Sequence, residues 1–324
     1  MKVINKISDF PEELRTENSF VVVALGNFDG VHIGHKTLLQ TMVKAAKANQ
    51  GVSVAFSFLP HPLAVLTGKS PNKLNTEIEK QQLIAELGVD YLLNFPFSKE
   101  AAKQSPQDFV EEFLMEGLNA RQVVVGFNYT FGDQGKGNPA LLQRLCAAHG
   151  CQVIVVPPVE TRAGIVSSTL IRKEIDQGNI LLANELLGYP YCLSGPIVRG
   201  RQLGRQLGFP TANVDVPEEM QLPAFGVYAA WAKCEDRVLQ SVVNVGLRPT
   251  IDDNLTPTVE VNCLDFDEDI YGKEMSVHFV AEIRKEKKFD GLEALIAQIS
   301  KDAITARNLL EQEEAKKCLL FAKK

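Results

Sequence analysis

The chain has 324 residues, a formal net charge of −6, 45% hydrophobic and 23% charged residues; this is more than one hydrophobic core usually serves, so two domains are expected. An acidic balance gives no general attraction to nucleic acid or to an anionic membrane surface, so neither is expected as a partner and any phosphate recognition must be local. No apolar run approaches the roughly 20 residues of a membrane helix, Met1–Phe10 lacks a signal-peptide core, and six scattered cysteines without CxxC or metal-ligand spacing suit a reducing, cytoplasmic location.

In chain order, Val21–Leu25 is a short apolar run of the kind a buried parallel strand makes. Thr37–Ala48 sets Leu38, Leu39, Met42, Val43 and Ala46 on one helical face. Val52–Phe58 reads as a strand, Glu77–Leu87 as a helix stopped at Gly88, and Val89–Phe95 as a further strand. Ser105-Pro106 is a helix start, with Phe109, Val110, Phe113 and Leu114 expected to be buried behind it. Gln122–Val125 is a strand, Asn138-Pro139 opens a helix ending near Gly150, and Gln152–Val156 is a strand. Repeated β-α units predict a doubly wound parallel sheet with ligands at the carboxyl ends of its strands.

The pattern changes near Gly188-Tyr189-Pro190. Short strand-like runs follow at Leu193–Val198, Val227–Ala232, Leu239–Val245, Thr258–Leu264 and Met275–Val280, predicting a small antiparallel β-barrel. From Asp290 helical spacing returns, with Leu292, Leu295, Ile296 and Ile299 on one face. Domains of residues 1–188 and 189–324 are expected.

Three segments look built for phosphate. Gly26-Asn27-Phe28-Asp29-Gly30-Val31-His32-Ile33-Gly34-His35 lies between a strand and a helix, the arrangement that aims backbone N–H groups at an anion. Two imidazoles at the helix start can donate to phosphate oxygens as charge develops. Ser167-Ser168-Thr169-Leu170-Ile171-Arg172 opens a second helix with hydroxyls and a guanidinium. Farther on, the segment from Gly200 through Gly204, Arg205, Gly208, Phe209, Pro210, Thr211 and Ala212 to Asn213 is rich in glycine and arginine before turning apolar. Thr211 and Asn213 carry uncharged oxygens able to hold Mg²⁺ when phosphate and water complete its shell.

The HxGH of Gly26–His35 with the SSTxIR of Ser167–Arg172 resembles the nucleotidyltransferase superfamily. Phe58-Leu59-Pro60-His61-Pro62 and Val125–Gly132 narrow the likeness to the FMN adenylyltransferase module of bacterial FAD synthetases. The segment ending Gly208-Phe209-Pro210-Thr211-Ala212-Asn213, together with Pro223–Tyr228, Asn244–Thr250 and Leu264–Asp267, is similar to riboflavin kinases. The resemblance spans about Val21 to Leu310. It implies a bifunctional enzyme that makes FMN from riboflavin and FAD from FMN, using ATP and Mg²⁺ at each step. It further implies that Gly26, Phe28, Asp29, His32, His35, Asn128, Ser168, Thr169 and Arg172 serve ATP in the first module. Phe58, His61 and Tyr129 either border the flavin there or pack at strand ends. In the second module Gly204, Arg205, Gly208, Thr211 and Asn213 would serve ATP and the metal, and Glu260 would be the base on the riboflavin hydroxyl. The family often has histidine two residues after this glutamate, where this chain has Asn262; residues 260 and 262 share one strand face, so the change bears on how the carboxylate is oriented. The oligomeric state is not specified by any of these features.

Overall fold

The computed structural model describes residues 1–199, 208–249 and 255–322. By its internal contacts the chain divides into two units, one of Met1–Pro71 with Thr76–Ser167 and the other of Asn72–Asn75 with Ser168–Lys324.

The first unit is built on a six-stranded sheet in the order β1-β4-β3-β2-β5-β6, every pairing parallel. The strands are β1 (Lys2–Ile4), β2 (Val21–Leu25), β3 (Val52–Leu59), β4 (Tyr91–Pro96), β5 (Ala120–Gly126) and β6 (Gln152–Val156). All five residues of β2 are buried, as expected for a strand covered on both faces. Helix α1 (Ile33–Ala48) buries the five residues its periodicity singled out. Val54 and Phe56 of β3 face the other way, into a cluster with Phe109, Val110 and Leu114. The strand order reverses beside β2: the chain leaves it for β3 on one side and returns to β5 on the other. The carboxyl ends of β2 and β5 therefore flank the switch point where open α/β sheets take ligands.

The local signals explain the helices that hold this edge. α2 (Pro62–Thr67) is capped by His61 and stops at Gly68 in the left-handed conformation. α3 (Glu77–Glu86) starts in a reciprocal capping box between Thr76 and Glu79. Ser105 caps α4 (Pro106–Asp108), but the following turns, Phe109–Gly117, are π-helical, and Phe113 is only partly buried. Asn138 caps α5 (Pro139–Ala147).

The second unit opens with α6 (Ser168–Asp176) and α7 (Ile180–Leu187). A closed antiparallel barrel follows, in the order β10-β13-β12-β11-β14-β9. Its strands are β9 (Cys192–Val198), β10 (Ala212–Val214), β11 (Gly226–Cys234), β12 (Arg237–Pro249), β13 (Leu255–Cys263) and β14 (Glu274–Lys285). Numbers β7 and β8 belong to the two-residue strands Glu160–Thr161 and Gly164–Ile165 of a small hairpin in the first unit. Neither β1 nor β10 was signalled by periodicity, since three residues are too few to show alternation.

Trp231, Ala229 and Val280 on the barrel's outer face pack against the C-terminal helices Leu292–Leu310 and Glu313–Ala322, and Trp231 Nε1 donates to Ala315 O at 3.0 Å. The first of these helices forms where the helical spacing placed one, and its buried contacts lie in its later turns. Leu292 is exposed and Leu295, Ile296 and Ile299 are only partly covered, while the buried residues are Asp302, Ala306 and Leu310. Asp302 is held by Arg284 of β14, with Nη2 to Oδ2 at 2.8 Å and Nε to both oxygens, and by Gln298 Nε2 at 2.7 Å. A buried carboxylate with this many donors fixes the lower turns of the helix to the barrel.

Candidate active sites

β2 ends at Leu25, and the chain turns at Gly26, whose N–H still donates to Phe56 O at 3.1 Å. The next turn is tight. Phe28, Gly30 and Val31 all have positive φ, a conformation that costs a non-glycine residue on the order of 1–3 kcal/mol. A β-carbon at Gly26 would come within 3.0 Å of the Phe28 ring. That ring is fully buried and meets His35 edge-on at 5.5 Å, so it braces the histidine from within the core.

His32 caps α1: its Nδ1 accepts from His35 N at 3.2 Å. The two imidazoles stack with centroids 3.6 Å apart and planes 16° from parallel. Gly34 permits this, since a β-carbon there would lie 3.1 Å from His32 Cε1. Burial pushes His32 down to about 4, with a smaller opposing effect from a backbone hydrogen bond. Burial first, then the neighbouring His32 and Lys80, holds His35 well below the ordinary imidazole range. Both rings are therefore neutral at pH 7. Because Nδ1 of neutral His32 is an acceptor, its proton sits on Nε2, leaving a donor of fixed direction at the head of α1. His35 Nδ1 is buried with no hydrogen-bond partner among the described residues.

Around this loop, Asn27 Nδ2 lies 3.4 Å from His61 Nε2, and His61 Nδ1 accepts from Leu63 N at 3.2 Å. Asp29 is half-buried in the loop. Asn128 is exposed in the turn after β5, closed by Tyr129 N donating to Gly126 O at 3.1 Å. Tyr129 stacks on Phe131 at 5.9 Å, and burial pushes its phenol well up.

A cleft of about 510 Å³ opens on the aromatic side of the sheet, lined by Phe58, Phe95, Phe97, Phe109, Phe113 and Phe131 together with Lys99 and Gln104. Its size and apolar walls suit a planar ring system. Of the three residues expected to border a flavin, Phe58 lines this cleft. His61 and Tyr129 do not, although their neighbours Pro62 and Thr130 do. Phe95, Phe97 and Phe131 were not read as lining a site because the cleft brings together residues from strands and loops distant in the sequence.

In the second unit, Ser168 and Thr169 form the first turn of α6, and Arg172 Nε donates to Asn72 O at 2.6 Å. Gly204 and Arg205 lie outside the described residues. Gly208 has φ 83° and leads into Pro210, Thr211 and β10. Register then assembles a polar row. Asn213 of β10 stands opposite Glu260 of β13, and Glu260 stands opposite Asn244 of β12. Their strand neighbours Ala212, Val214, Val259, Val261, Val243 and Val245 are buried, so the polar row faces away from the barrel core. Asn213 Oδ1 is buried without a hydrogen-bond partner among the described residues. An uncommitted amide oxygen in this row fits a hard cation such as Mg²⁺, which takes oxygen ligands. Asn262 does not turn toward Glu260 for a partner: its Nδ2 donates to Pro210 O at 2.7 Å. It thereby pins the backbone just before Thr211. A smaller hollow of about 160 Å³ adjoins Thr211, walled by Phe266 and Tyr271.

A parallel-sheet unit with a glycine-rich loop at its switch point, followed by a closed barrel in which Glu260 stands in register with Asn213, suits a two-site nucleotide-using transferase. Residues 14–170 match the family model for FAD synthetase, and residues 187–310 match that for riboflavin kinase. The bifunctional riboflavin kinase/FMN adenylyltransferase of Bacillus subtilis (strain 168) is 35% identical over 89% of this chain and 92% of its own length. The protein of the same name from Escherichia coli (strain K12) is 35% identical over 94% of this chain and 95% of its own. A crystal structure described as a macrolide-efflux protein from Streptococcus pneumoniae superposes with a TM-score of 0.85 at 33% identity, covering 94% of this chain and 98% of that one. The chain belongs to the family of bifunctional riboflavin kinase/FMN adenylyltransferases. Among the described residues, no helix is long and apolar enough to cross a membrane.

Proposed function

We propose that the two activities of this family are divided between the two candidate sites, with a functional boundary near residue 188, and that each site takes ATP at a different phosphorus. In the first, FMN supplies the nucleophile. Its phosphate is already anionic and needs no base, so the work of the site is orientation and charge neutralisation at the α-phosphorus as pyrophosphate leaves. His32 donates from Nε2, His35 backs it through the stack, and the backbone from Gly26 through Asp29 approaches the nucleotide. Asn128 adds a polar contact at the neighbouring strand end. Ser168, Thr169 and Arg172 are assigned to the ATP phosphates on their motif. The aromatic cleft with Phe58 takes the flavin, with His61 and Tyr129 bordering it.

In the second site the nucleophile is the riboflavin 5′-hydroxyl, a poor one until its proton is taken. Glu260 accepts that proton as the oxygen attacks the γ-phosphorus, and ADP departs. The observation that carries this assignment is the register that sets Glu260 beside Asn213, placing a carboxylate next to an uncommitted oxygen donor. Thr211 and Asn213 would hold Mg²⁺, which would offset the charge of the transferring phosphates. Gly204, Arg205 and Gly208 would cradle those phosphates, and the hollow walled by Phe266 and Tyr271 would take the adenine. Riboflavin, FMN and ATP are the small-molecule partners, with FMN and FAD as products. The six cysteines are all free, which supports a cytoplasmic location.

Supplying FMN or riboflavin separately to the full-length protein with ATP and Mg²⁺ tests the division. Variants at Glu260 should lose only riboflavin phosphorylation and variants at His32 only FAD formation; joint loss in either would overturn it.

A further inference from the structure

Helix α3 places a lysine where the face of a buried sheet would ordinarily be apolar. Lys80 is only 5% exposed. Its Nζ lies 3.1 Å from Glu77 Oε2 and 3.5 Å from Ser57 Oγ, the second being the long end of hydrogen-bond range. Ser57 is fully buried in β3 and donates onward to the carbonyl of Asn27 at 3.2 Å. Asn27 belongs to the loop that carries the histidines. Beside Ser57 in register stands Asn94 of β4, also buried, whose Oδ1 has no partner among the described residues. The polar patch is thus continuous from α3 through two strands to the loop. Burying an ammonium takes it out of water at a cost that packing does not return, so a lysine here is a poor choice for packing alone.

We propose that Lys80 is a positioning residue of the adenylyltransfer site, fixing the His32–His35 loop through Ser57 and the Asn27 carbonyl and setting an ammonium group beside His35. This rests on the reading of the first unit as the FMN adenylyltransferase. The groups facing the histidine pair are Lys36 on their own helix, Phe28 from the loop, and Lys80 with its partner Glu77 from α3. Lys80 joins a charge to a mechanical tether through Ser57 and the Asn27 carbonyl. The charge opposes protonation of His35, and the tether keeps the tight loop in register with β3. The sequence hides this role, because Lys80 sits 45 residues beyond His35 in a separate helix.

Two variants of the full-length protein separate the tether from the charge. Ser57→Ala cuts the tether and keeps the charge, whereas Lys80→Met removes both. For Lys80→Met, kcat for FAD formation from FMN should fall roughly tenfold or more while KM for FMN changes less than about threefold. The NMR titration midpoint of the His35 imidazole should rise. For Ser57→Ala, kcat should fall less and the midpoint should stay in place. Riboflavin phosphorylation should be at the wild-type rate in both. Wild-type FAD formation by Lys80→Met, or an unmoved His35 midpoint, would overturn the proposal. If Lys80→Met loses its fold, Ser57→Ala decides: a lowered kcat supports the tether and a wild-type kcat refutes it. His32→Ala assayed in parallel guards the underlying assignment, because undiminished FAD formation there would mean that this unit is not the adenylyltransferase at all.

Discussion

In the proposed roles His32 keeps a proton and Glu260 takes one, and their surroundings differ accordingly. His32 is buried against a second imidazole and kept neutral, a donor whose proton stays on Nε2. Glu260 is half-exposed on a strand face and flanked in register by two amides, Asn213 and Asn244. His32→Ala should therefore abolish FAD formation from supplied FMN and leave FMN formation within about twofold, as flavin chromatography would record. Glu260→Gln should cut riboflavin phosphorylation by roughly 10²–10⁴ and spare FMN-to-FAD conversion. Burial of His32 also makes a stability prediction. The unfolded chain takes up a proton near 6.5 and the folded one only near 4. Its contribution is whole above pH 6.5 and is lost as pH falls toward 4, on the order of 3 kcal/mol in all. Chemical denaturation across that window should show a shallower pH slope for His32→Gln than for wild type; an identical slope would contradict neutral burial. The histidines and Asn213 could be singled out in the sequence because compact motifs carry them, and Glu260 only through its place in the family resemblance. Asn244 as the neighbour of Glu260, and Pro210 as the partner of Asn262, were not, because cross-strand register is a property of folded distance rather than of spacing.

At the scale of elements, the strongest local signals were those that physics makes local. Caps at Ser105 and Asn138 and the buried face of α1 all lie within a few residues of one another in sequence, and all formed as expected. The π-helical turns of Phe109–Gly117 and the partial cover of Leu292–Ile299 depend on what packs from afar. Apolar periodicity shows which face of a helix is sticky, not which of its turns meets a partner. The Arg284–Asp302 pair supplies that information for the C-terminal helix. Asp302→Ala strands a partly buried guanidinium and should destabilise the second unit by about 3–5 kcal/mol, read as a lowered midpoint in denaturant. Thr76→Ala removes the capping box of α3 and should cost about 1 kcal/mol. It should also slow FAD formation if α3 positions Lys80 as inferred, and a fully wild-type rate would show that fraying at this cap does not reach the loop.

Across the whole molecule, the change of character near residue 188 was visible as a change of period, from helices between apolar strands to short strands divided by glycine and proline. The described structure contains both architectures, with α6 and α7 packing in the second unit although they precede that change. The proposed division gives the two units different chemical demands. One would orient an anion that is already a nucleophile, and the other would make a nucleophile from an alcohol. Together they convert riboflavin into FMN and FMN into FAD, each with its own ATP. The most direct test of that account is a time course with wild-type protein, riboflavin, ATP and Mg²⁺, resolved by chromatography. FMN should rise first and FAD follow, with ADP and pyrophosphate released in the two steps, while Glu260→Gln makes FAD only when FMN is supplied. Wild-type protein yielding neither flavin nucleotide, or Glu260→Gln making FMN at the wild-type rate, would contradict it.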